Sequence, residues 1–192
     1  MARIRVNELD LLRFIAALSV VFFHYTFRGY TADAMTIMPY PTLAPISKYG
    51  YLGVELFFMI SGFVILMTAA SGSLRKFIIS RFVRLYPAFW VCCSLTFIAT
   101  ILIGGHRYTA SVYQYLINMT MLNSFIGVPS IDGVYWTLFI ELKFYAFVAL
   151  VLLIGQIDEA QLFLCLWLAV TILLDLFPIS NTLRYYLIAD YS

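Results

Sequence analysis

Residues 9–27 read LDLLRFIAALSVVFFHYTF, and this stretch decides the class of fold. About 20 largely apolar residues wound as an α-helix cross roughly 30 Å of hydrocarbon. The stretch is too long for the apolar region of a signal peptide, carries Arg13 inside it and lacks a small-residue cleavage site. It therefore reads as an uncleaved span. Arg13 and His24 form an ionisable pair within it. About three helical turns separate them, so they share one face and lie ~16 Å apart along the axis.

Outward from this span, four more windows have the length and composition to cross: 51–70, 85–103, 134–154 and 161–179. The connectors carry helix breakers, namely Pro39, Pro41 and Pro45, then Ser71-Gly72-Ser73, Gly104-Gly105, and Pro129 to Gly133. The expected fold is all-α: a polytopic transmembrane helix bundle of about five spans. Composition agrees. Apolar residues make up 63% of the chain and charged residues 11%, against roughly a quarter charged in soluble domains. Too few polar residues remain to cover a water-facing surface, whereas lipid asks for an apolar one. The net charge of +2 is too small to suggest a nucleic-acid partner. Cys92, Cys93 and Cys165 lie in apolar runs and suggest neither a disulfide framework nor a metal site. From 183 to 188 another apolar run begins and stops short of a span, so residues 1–192 read as the N-terminal part of a longer membrane domain.

Basic residues orient the spans. Arg3 and Arg5 precede the first, and Arg75, Lys76, Arg81 and Arg84 cluster between the second and third; Arg28, Lys48, Arg107 and Arg184 fall on the other side. The cluster argues for a cytoplasmic N-terminus. Within it, residues 76–84, KFIISRFVR, form a basic amphipathic stretch. It suits either an anchor to anionic head groups or a cytoplasmic anion site.

Alternating span directions then assign depths. His24, Glu55, Glu141 and Asp175 fall toward the outer side, with Arg13, Arg81 and Arg84 toward the inner one. Charges inside spans are costly, which makes them functional candidates. Plainer readings stand beside this: Arg13 snorkelling to head groups, His24 as an interfacial residue, Glu141 paired with Lys143 or a backbone group, Asp175 marking a helix end. Together the residues permit specific chemistry. An imidazole acts as general base on a hydroxyl when a carboxylate orients its other nitrogen, and Glu55 or Glu141 can supply that carboxylate.

The local sequences also resemble a known family. ELDLLRFIAALSVVFFHYTF is similar to the first-span signature of the acyltransferase 3 family of integral-membrane acyltransferases, with its Arg and His at this separation. GYLGVELFFMISGFVI resembles the second-span motif, with Glu55 at its acidic position. FIISRFVRLYPAFW resembles the basic stretch ending in Leu-Tyr-Pro. VYWTLFIELKFY resembles the element carried here by Trp136, Leu138, Glu141, Phe144 and Tyr145, with Thr137 where Ser is usual.

The resemblance implies a membrane protein, of the bacterial inner (plasma) membrane, that moves an acyl group from acyl-CoA, often acetyl-CoA, to a carbohydrate or lipid-linked glycan acceptor, without a metal. His24 would be the catalytic base or transient acyl carrier. Glu55 and Glu141 would support it, and Arg13, Arg81 and Arg84 would bind the coenzyme. Family members carry about twice the spans counted here, which again implies the N-terminal part of a longer domain. Two other readings compete: a proton-coupled transporter or flippase with His24, Glu55 and Glu141 as a proton relay, and an inactive truncated fragment.

Overall fold

The computed structural model describes residues 7–33, 36–70, 73–106 and 108–177. Arg3, Arg5, Arg107, Arg184, the apolar run from 183 to 188 and the side chain of Asp175 lie outside the described residues. The chain is helical: α1 (Asn7–Phe22), a π-helical turn (Phe23–Arg28), α2 (Gly29–Thr31), α3 (Ala44–Ser47), α4 (Leu52–Ala70), α5 (Leu74–Ile103), α6 (Val112–Asn118), α7 (Trp136–Ile154) and α8 (Ala160–Leu176). Five described stretches are long and apolar enough to cross a membrane: Glu8–Thr31, Ala44–Ala70, Leu74–Ile103, Gly133–Ile154 and Ile157–Leu174. The architecture is thus the expected polytopic, all-α membrane protein of about five spans. Two compact units divide it, Met1–Met67 and Thr68–Ser192.

In the first unit, helices meet backbone to backbone. A Cβ on Gly50 would fall on the Ser19 carbonyl oxygen and within 2.9 Å of Phe23 Cβ; one on Gly53 would meet the Ala16 carbonyl, the Ser19 hydroxyl and Val20. Ala16 is correspondingly buried. Lipid gives helices no hydrophobic reason to associate, so small residues that allow close approach hold them together. Above this contact the Thr26 hydroxyl donates to the Phe22 carbonyl at 2.7 Å and pairs with the Ser47 hydroxyl at 2.6 Å.

In the second unit, α5 packs through one side-chain stripe. Phe77, Arg81, Phe89 and Cys93 are its buried residues, and they repeat every fourth position, the spacing that puts residues on one helix face. Phe77 lies edge-on to Tyr145 and Phe89 edge-on to Tyr135, so α7 runs antiparallel to α5. The helix starts at Leu74, earlier than the window from 85, so the basic stretch is its first turns. Pro87 lies inside it, leaving the Val83 carbonyl without its helical donor. Gly155, at φ 74°, ends α7 in the left-handed conformation that glycine adopts freely.

Beyond α5 the chain folds back on it. The Trp90 indole donates to the Met119 carbonyl and the Tyr86 hydroxyl to the Thr120 carbonyl, both at 3.0 Å. Fully buried Asn118 donates to the Gln114 and Pro129 carbonyls and accepts from the Ile131 N–H. Such an amide substitutes for regular backbone pairing in a loop. Its sequon with Met119 and Thr120 is closed by the same bonds.

Candidate functional site

His24 sits in the π-helical turn that ends the first span, not in regular α-helix. The Gly29 N–H reaches back to the His24 carbonyl, a five-residue step. Single π turns concentrate at functional sites because the wider turn redirects side chains. The half-buried His24 ring lies edge-on to Phe23 at 5.3 Å between centroids. Nothing in residue composition marks a π turn, which is why the sequence reading missed it.

Arg13 lies on the same helix. Its Nη1 is 3.5 Å from the Asp10 carboxylate in an i,i+3 pair, with its own side chain 17% exposed. Its Nε is buried and without a hydrogen-bond partner. Glu55 is exposed on α4. The glycine contact fixes its level. Gly53 faces Ala16, Ser19 and Val20, so Glu55 lies near the turn around Ala16, roughly two turns or ~11 Å below His24 along the axis. Span direction alone places both residues toward the outer side. The register set by the glycines separates them, because close backbone contact, not the ends of a hydropathy window, decides which turns face.

In the second unit Arg81 is 7% exposed. Its guanidinium carbon lies 5.7 Å from the Phe77 ring centroid and 5.8 Å from that of Tyr145, cation–π distances. Nη2 makes one long contact with the Ser80 hydroxyl, 3.3 Å. Nε and Nη1 are buried and have no hydrogen-bond partner. Arg84, one turn on, is exposed. Glu141 accepts a short hydrogen bond from the Tyr145 hydroxyl, while Lys143 lies over the Phe139 ring at 4.4 Å.

Arg81 and Glu141 thus meet at one residue, Tyr145, where span direction alone placed them toward opposite sides. Tyr145 stands at the centre of α7, roughly 14 Å from either end. The α5 stripe brings Arg81 to that level. An i,i+4 reading of Phe77, Arg81, Leu85, Phe89 and Cys93 was the available signal; a window that begins at 85 hides it. Buried guanidinium nitrogens without partners are expensive and mark a place where an anion would be favourable. Among the described residues, no group of three His, Cys, Asp or Glu side chains is placed to hold a metal ion.

Comparison with known proteins agrees with the residue pattern. A family model described as an acyltransferase domain matches residues 6–190. Nodulation protein 10 of Rhizobium leguminosarum bv. viciae is 30% identical over 162 residues, 72% of this chain and 42% of that protein. Peptidoglycan O-acetyltransferase OatA of Listeria monocytogenes serovar 1/2a is 28% identical over 160 residues, 73% of this chain and 23% of that protein. The chain therefore spans less than half the length of these curated relatives. No solved structure matches.

Proposed function

The chain belongs to the membrane acyltransferase family whose domain covers residues 6–190, and from that premise we propose that it moves an acyl group from acyl-CoA to a hydroxyl of a cell-surface carbohydrate or lipid-linked glycan. Acetyl-CoA is the donor this reading favours, in keeping with the O-acetyltransferase among its relatives. The protein acts in the plasma membrane of its cell, with the N-terminus on the cytoplasmic side.

One observation carries the reading. Of the four buried polar atoms without a hydrogen-bond partner among the described residues, three are guanidinium nitrogens of Arg13 and Arg81. A membrane chain that leaves arginine donors open at such cost is suited to an anionic ligand, and the phosphates of coenzyme A fit that need. Arg81 takes them inside the protein, with Arg84, one turn on along the same helix, adding positive charge; Arg13 keeps its own open nitrogen on the first span.

His24 acts on the acceptor. Its imidazole removes the proton from the acceptor hydroxyl. That oxygen attacks the thioester carbonyl, the new C–O bond forms and the C–S bond breaks. The coenzyme leaves as thiolate and takes up the proton. The π turn sets the ring's direction. Glu55 supports the site from α4, while Glu141 serves the second unit beside Tyr145.

The test is transfer of labelled acetyl from acetyl-CoA to cell-surface glycan in membranes carrying the intact protein. His24→Ala is expected to lower transfer by ~10²–10⁴-fold while the protein stays in the membrane. Undiminished transfer by His24→Ala rules out the assigned role. Movement of acceptor across the membrane without acylation would make the protein a transporter instead.

A further inference from the structure

Arg81 and Glu141 carry opposite charges and both touch Tyr145, yet they do not pair with each other. Among the described residues Arg81 has no carboxylate partner, and its Nε and Nη1 stay open. The Glu141 carboxylate accepts instead from the Tyr145 hydroxyl. Attraction between opposite charges is strong where water is excluded, and the Tyr145 hydroxyl is the donor that competes for Glu141.

We propose that Tyr145 is a positioning residue that keeps Arg81 open for the coenzyme's phosphates by detaining the Glu141 carboxylate. This rests on the reading of Arg81 as a phosphate ligand given above. Tyr145 is buried, 7% exposed, and its ring is fixed edge-on by Phe77 at 6.2 Å and faced by the guanidinium at 5.8 Å. The ring therefore cannot swing away from Arg81. Its hydroxyl, one turn above its own Cα, is the donor that Glu141 uses. Without that hydroxyl a partly buried carboxylate needs another donor, and the open ones beside the same ring belong to Arg81. Once Glu141 occupies them, an incoming phosphate must first displace it. Glu141 lies four residues before Tyr145 on the same helix, the spacing at which two helical side chains meet.

Binding of acetyl-CoA to the intact protein in detergent, measured by calorimetry, tests this with four proteins. Wild type is expected to bind, and Arg81→Met to lose that binding. Tyr145→Phe keeps the ring but should raise the dissociation constant roughly 10-fold or more, the cost of competing with a charged hydrogen bond. Adding Glu141→Gln to Tyr145→Phe removes the competitor's charge and should restore binding to within about threefold of wild type.

If wild type does not bind, or Arg81→Met binds as well as wild type, the reading of Arg81 fails and the role of Tyr145 falls with it. If those two behave as expected but Tyr145→Phe binds like wild type, only the positioning role is wrong. Weakened binding that the second substitution does not restore, or aggregation of Tyr145→Phe, makes Tyr145 a packing residue and also overturns the proposal.

Discussion

The two units solve the same problem with different contacts. In Met1–Met67 the first span meets Gly50, in the turn before α4, and Gly53 backbone against backbone, with only the Ser19, Val20 and Phe23 side chains beside them. In Thr68–Ser192 the partners stay further apart and fill the gap with rings: Phe77 on Tyr145, Phe89 on Tyr135, Phe97 on Tyr115, and Phe147 on Trp167. Close backbone approach leaves room for a small hydroxyl such as that of Ser19 but not for a long charged side chain. A ring-filled seam can admit one, and in the second unit it admits Arg81. The difference teaches where each kind of chemistry can be kept. His24 stands beyond the glycine contact, on a turn that reshapes the helix, whereas Arg81 is built into the seam itself.

The largest effect should come from adding atoms to the glycine seam. Gly53→Val would push against the Ala16 carbonyl, the Ser19 hydroxyl and Val20. Overpacking of this kind costs about 1–3 kcal/mol, and more where backbone is the obstacle. Gly133→Ala serves as the control, since nothing lies within 4 Å of the position its Cβ would take. Thermal unfolding in detergent should show a clear fall for the first and little change for the second. Equal effects would mean that the first unit is not held by close approach.

Next comes the loop that folds back on α5. Asn118→Ala removes three hydrogen bonds and leaves the Ile131 N–H without its side-chain partner. A buried group left unpaired costs about 1–3 kcal/mol. Protease cleavage between 119 and 131 should accelerate while the first unit's cleavage pattern holds. The same burial predicts that Asn118 carries no glycan when the protein is made in a glycosylating host, which mass spectrometry can check.

Arg81→Met should move stability the other way. The wild-type side chain is a buried cation with two nitrogens unpaired, and replacing such a charge with an apolar side chain of similar length is neutral or stabilising, here by zero to about 1 kcal/mol. The unfolding temperature without ligand should hold or rise as acetyl-CoA binding disappears. A clear fall would make Arg81 structural, and the contrast between an inert glycine seam and a functional ring seam would collapse.

Much of this was legible in the sequence. Five apolar windows give five membrane helices, because hydrocarbon demands internal pairing of every backbone group and only long helices provide it. The intramembrane positions of Arg13, His24, Glu55 and Glu141 follow from the same windows. What the windows could not supply was register. The level of Glu55 depends on which turn of α1 its two-residue neighbour Gly53 touches, and the level of Arg81 on an i,i+4 stripe that begins at Phe77, before the apolar window from 85. The π turn at His24 was also invisible, since an inserted residue changes hydrogen bonding without changing composition.

The smallest expected effect falls on the other side of the same loop. Ser94 donates to the Trp90 carbonyl one turn earlier, at 2.7 Å, and pairs with the Tyr115 hydroxyl at 2.8 Å. Ser94→Ala removes both contacts. The Trp90 carbonyl lies in continuous helix, and Tyr115 keeps its stacking on Phe97 at 4.4 Å. Its hydroxyl is only partly buried, so water can take the place of the serine. The cost should be about 0.5–1 kcal/mol, below that of Asn118→Ala. The ranking matters more than either value. If Ser94→Ala costs as much as Asn118→Ala, the loop is anchored through the helix rather than by its own amide, and the second unit depends on polar contacts to α5 more than on its rings.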